Sequence, residues 1–69
     1  MTLKQTMIDA ARKHAEAEIM LHKANIEVYM QQVVGIGEHS DIIETIQKEL
    51  DKMATANDRL EMLDKHFSE

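Results

Sequence analysis

Val33-Val34-Gly35-Ile36-Gly37-Glu38-His39-Ser40-Asp41 is the stretch that decides how this chain folds. It holds both glycines of the sequence, and there is no proline to interrupt the chain elsewhere. Glycine and proline are the strongest local punctuation, so one hinge is expected, with unbroken secondary structure on each side. The flanks are rich in Ala, Leu, Met, Glu, Lys and Gln, which lose little freedom in a helix. Gly35 suits the left-handed position that closes a helix, and Ile36 offers the apolar contact that accompanies such a stop. Beyond it, Ser40 or Asp41 suits the cap of a second helix, with Asp41 and Glu44 favoured at its positive end. At the other end of the chain, Thr2 and Gln5 have the spacing of a capping box. The expectation is one all-α domain over 1–69, with helix 1 near 3–34, a turn at 35–39 and helix 2 near 40–67.

Working outward from the hinge, helix 2 carries a seam in alternating steps of three and four: Ile43, Ile46, Leu50, Met53, Asn57, Leu60, Asp64 and Phe67. Helix 1 carries a matching one: Ile8, Arg12, Ala15, Ile19, His22, Ile26, Tyr29 and Val33. Folding at the glycines makes an antiparallel hairpin in which facing residues have numbers summing to about 75 or 76. Ala15 then meets Leu60, small against large, His22 meets Met53, and Arg12 meets Asp64 with opposite charge. Asn57 and Asp64 in the helix 2 seam, with Arg12 and His22 in the helix 1 seam, are polar groups where apolar ones would stabilise more. Such groups commonly fix register, and Arg12, Asp64 and Asn57 are the ones to weigh for it.

Helix 1 has a second apolar stripe on roughly its opposite face: Leu3, Met7, Ala10, His14, Ala17, Leu21, Ala24 and Val28. A surface helix of a monomer is polar there. A chain of 69 residues rarely buries enough apolar surface to be stable alone, and without cysteine it has neither disulfides nor thiolate zinc sites to help. Met7, Ala10, His14, Ala17, Leu21, Ala24 and Val28 are therefore the candidate self-association residues. The expected product is a homodimer forming a four-helix bundle, or a homotetramer.

Chemistry is sparsely represented. His14, Glu18 and His22 share one side of helix 1 and are the residues to weigh as metal ligands. The two histidines, however, stand ~12 Å apart along the helix, too far to hold one ion together. Gly35-Ile36-Gly37 lacks the third glycine and the preceding strand of a phosphate-binding loop. Glu38-His39-Ser40-Asp41 holds triad residue types, but adjacency in sequence does not give triad geometry. A hairpin this thin is expected to lack a dry cleft. No cofactor, no metal and no enzymatic activity are expected.

The charge balance narrows the partners. The chain carries 13 acidic and 8 basic residues for a net −5. Residues 1–37 balance to zero, so residues 38–69 hold the whole excess. With no basic patch and only one Tyr and one Phe, direct nucleic-acid binding is disfavoured. Apolar runs fall far short of the ~20 residues a membrane span needs, and no secretory h-region follows Met1, so an intracellular protein is expected.

Two long helical segments of similar length, hinged at Val33-Val34-Gly35-Ile36-Gly37-Glu38-His39 and free of cysteine and proline, resemble the small helical-hairpin proteins encoded by marine tailed bacteriophages. The resemblance implies a viral origin and a setting in the host cytoplasm or the virion, and it carries over no active site. The build is also similar to the plasmid-copy-control four-helix-bundle RNA binder, whose polar-basic face this acidic chain lacks. The expected role is a small oligomeric interaction or adaptor module with a host or viral protein partner. The alternatives are a structural component of a larger assembly or phage particle and, third, a His/Glu metal-binding regulator.

Overall fold

Helix α1 (Leu3–Gln32) opens at the capping box. The Thr2 backbone N–H donates to Gln5 Oε1 at 2.8 Å, and the Gln5 N–H donates back to Thr2 Oγ1 at 3.1 Å. Two of the orphan donors of the first turn are thereby satisfied. The Thr2 carbonyl accepts both the N–H and the hydroxyl of Thr6, at 2.9 and 3.0 Å.

The computed structural model describes residues 1–32 and 39–68. Gly35, the left-handed stop assigned to it, and Val33 of the helix 1 seam lie outside the described residues. Helix α2 (His39–Phe67) begins one residue before the expected start, so Ser40 and Asp41 belong to its first turn and do not precede it. Asp41 there, and Lys65 and His66 in the last turn, complement the helix dipole at both ends. Among the described residues there is no strand.

The two helices pack along their length. Arg12 pairs with Asp64, Glu18 with Arg59, and Asn25 with Glu49, so position along α1 rises as position along α2 falls. The hairpin is antiparallel and long, extending 53 × 17 × 11 Å.

On α1 the inward positions are those of the expected seam. Ala15 and Ile26 are buried, and Ile8, Arg12, Ile19, His22 and Tyr29 are partly so. On α2 one rail is displaced by a residue. Ile46, Met53 and Leu60 face inward as expected, but their companions are Ile42, Glu49, Ala56 and Leu63. Ile43, Leu50, Asn57, Asp64 and Phe67, assigned to the seam, are exposed. Both sets obey the three–four spacing, so periodicity alone does not choose between them. The displaced rail places Ala56 at zero exposure where Asn57 would have carried an amide into the contact. Glu49 takes the place of Leu50 because α1 supplies hydrogen bonds to its carboxylate. Asn57 consequently sets no cross-helix register: its amide donates along its own helix to Glu61 Oε1 at 3.4 Å.

A fully buried alanine brings two helix backbones close and leaves no room for a larger side chain. Ala56→Leu is expected to destabilise the hairpin by about 1–3 kcal/mol through overpacking. Urea unfolding followed by circular dichroism measures it; an unchanged midpoint would mean that Ala56 does not set the interhelical distance.

Candidate functional site

Two arrangements stand out on this hairpin: a polar cluster between the helices and an apolar face left bare on α1.

The cluster is built from three side chains. His22 and Asn25 stand three residues apart, on one side of α1, and Glu49 projects from α2 towards both. The His22 Nδ1–H donates to Glu49 Oε2, and Asn25 Nδ2 donates to the same oxygen at 3.3 Å. The side chains of His22 and Glu49 are only 12% and 11% exposed. An acid so enclosed is tolerated because its charge is met by hydrogen bonds. The Glu49 carboxyl is held below the usual carboxylate range. The hydrogen bond from His22 is the main cause, partial burial opposes it, and Asn25 and Lys52 reinforce it.

The sign of the pH dependence follows. A carboxyl with a lowered pKa in the folded state binds its proton more readily once unfolded. Its contribution is therefore complete above the unfolded value of about 4.3 and is lost as pH falls through the lower folded value. Glu49→Gln removes the titrating group. The gap in Tm between wild type and Glu49→Gln is expected to be widest near neutral pH and to shrink below about pH 4. A gap that stayed constant under acidification would show that Glu49 is not stabilised in its charged form.

The residues weighed as metal ligands do not converge. His14 Nδ1 lies 2.9 Å from Glu18 Oε1, the same oxygen lies 3.3 Å from Arg59 Nη1, and His22 is turned to Glu49. Arg59 supplies positive charge where a cation would bind. Among the described residues, no group of three or more His, Asp or Glu side chains is placed to hold a metal ion. Arg12 reaches Asp64 across the helices at a largely exposed edge. Such surface pairs contribute little stability but restrict how the helices slide.

The thin hairpin carries open furrows. One of about 400 Å³ runs beside the buried seam, lined by Ala11, Ala15, Met62, Leu63 and Phe67 with polar groups at its rim. It is an open trough and not a dry cleft.

The bare face lies on the far side of α1. Leu3, Met7, Leu21 and Val28 are between 51% and 76% exposed, and Ala10, His14, Ala17 and Ala24 fill the spaces between them. All seven candidate self-association residues are thus on the surface of the single chain. Glu49 and Asn25 are the residues that sequence reasoning missed. The available signal was His22 in the seam with Asn25 three residues on at its edge, and a carboxylate, Glu49, among the residues facing them.

Comparison with protein-family models, curated proteins and solved structures finds no match to this chain. No helix of the described residues is long and apolar enough to cross a membrane.

Proposed function

We propose that this protein is a self-associating helical interaction module, whose two-helix hairpin is one half of a larger helical assembly. The observation that carries the reading is the exposed apolar stripe of α1, from Leu3 to Val28, on the face turned away from α2. Contiguous apolar surface of that kind marks a protein contact more often than a solvated face. The modest interior points the same way. Among the described residues, Ala15, Ile26 and Ala56 are the buried apolar ones, and no large side chain is fully enclosed. Absolute mass by light scattering after size exclusion, over a wide concentration range, tests it. A dimer or tetramer supports self-association; a monomer at all concentrations overturns it.

A second reading, a structural component of a larger assembly, is favoured by Ile43 and Leu50. These are 57% and 44% exposed on a flank of α2, one residue round from the inward rail, and give the hairpin a second apolar contact. Two different contacts on one small chain permit open-ended growth. Mass that climbs continuously with concentration would select this reading, and Ala54→Glu, one turn beyond Leu50 on an exposed position, would then arrest growth at the dimer.

A further inference from the structure

Resting on the self-association just proposed, we infer that the occupant of the α1 stripe is a second copy of this chain, docked antiparallel to α1. In this register Ala10 of one copy lies against Leu21 of the other, and Met7 against Ala24.

Area argues for an occupant of this size. The chain exposes 5374 Å². A compact monomer of 7.9 kDa exposes about 4,400 Å². The excess of about 1,000 Å² is comparable to the ~800 Å² that each partner buries in a standard interface. The radius of gyration agrees: 16.0 Å against about 11 Å for a compact chain of this length.

Side-chain volume argues for the orientation. Along the stripe, large and small residues alternate: Met7, Ala10, His14, Ala17, Leu21, Ala24, Val28. A parallel pair would set Ala against Ala in some layers and Met, His or Leu against itself in the others, leaving voids beside crowded layers. An antiparallel pair with its two-fold between Ala15 and Glu16 gives layers of Met7 with Ala24, Ala10 with Leu21 and His14 with Ala17. The end layers pair Leu3 with Val28. Every inner layer then holds one large and one small side chain. The two helix dipoles also run in opposition.

Charge argues for a second copy. Residues 1–37, which contain α1, carry no net charge, so two copies of α1 approach without repulsion. The net −5 resides in residues 38–69. Because the stripe lies opposite the α2 contact, the two acidic helices end on the outside of the pair, as far apart as the assembly allows. The order across it is α2, α1, α1, α2, a layered arrangement unlike the square bundle in which each helix contacts two neighbours about 90° apart.

The absence of cysteine makes the test direct. Ala10→Cys and Leu21→Cys are prepared separately, checked for helicity and for mass under reducing conditions, and oxidised alone and as a re-equilibrated mixture. In the proposed register, residue 10 lies ~16 Å from residue 10 of the other copy, beyond the ~7 Å a disulfide spans. The expected result is a disulfide joining residue 10 to residue 21 in the mixture only, identified by peptide mass, with neither variant cross-linking to itself. Self-cross-linking of each variant would overturn the proposal in favour of a parallel pair. A dimer by mass that gives no cross-link in the mixture would overturn the register. Monomeric mass for wild type and variants would instead defeat the self-association on which the proposal rests.

Discussion

Ala24→Glu is expected to convert the oligomer into a monomer at micromolar concentration. Ala24 is exposed in the single hairpin, and glutamate is a good helix former, so the hairpin itself accepts the change. Within the proposed pair, the new carboxylate sits on the apolar stripe against Met7 of the other copy, and the stripe itself holds no lysine or arginine. A buried, unpaired charge costs about 3–5 kcal/mol. Since 1.4 kcal/mol is a factor of ten in affinity, dissociation rises by at least ~100-fold, and the two-fold symmetry applies that penalty twice. Light scattering reads the mass directly. The thermal melt gives a second reading, because a melting temperature that rises with protein concentration is the signature of folding linked to association, and Ala24→Glu should abolish it. Ala54→Glu makes the same chemical change at an exposed position of α2 and should leave the dimer mass intact. If Ala24→Glu and wild type had the same mass and the same concentration dependence, the α1 stripe would not be the interface.

How much of this was legible in advance differs between the helices. The inward face of α1 follows from sequence because its alternatives differ sharply in chemistry. The positions beside Ala15, Ile19 and Ile26 include Glu16, Glu18, Asn25 and Glu27, so a one-residue rotation of α1 would carry charged or polar groups into the contact. On α2 the competing rails are Ile42, Glu49, Ala56, Leu63 and Ile43, Leu50, Asn57, Asp64. Each has two large apolar residues, and each has a polar group to place. Hydropathy favours the wrong choice at one level, Leu50 over Glu49, and the right one at two, Ala56 over Asn57 and Leu63 over Asp64. What decides the matter is non-local. Glu49 can be buried only because His22 and Asn25, more than twenty residues earlier, donate to it. No reading of α2 by itself contains that information. The Arg12–Asp64 pair was legible because opposite charges facing across a hairpin need only approximate register, and long side chains absorb a one-residue rotation of the helix.

Ile26→Ala tests the other half of the argument, that the hairpin by itself is barely stable. Ile26 is the only large apolar side chain among the described residues that is buried, with 7% of its surface exposed, and it lies one turn beyond His22 and next to Asn25 of the polar cluster. Truncating a buried isoleucine to alanine costs about 2–5 kcal/mol through lost transfer energy and the cavity left behind. A domain of this size rarely has more than about 3–5 kcal/mol in total. Ile26→Ala is therefore expected to lower the melting temperature by more than about 10 °C, or to leave the chain largely unfolded at room temperature, as read by circular dichroism. The loss should also expose the His22–Glu49 hydrogen bond to water and so flatten the acid dependence expected of that cluster. Because association stabilises whatever folded state it binds, raising the protein concentration should restore part of the lost helicity in Ile26→Ala but none of it in the double variant with Ala24→Glu. A shift of only a degree or two would mean that the contact between α1 and α2 is not what holds the helices, and the burden of stability would pass to the face that α1 presents to its second copy.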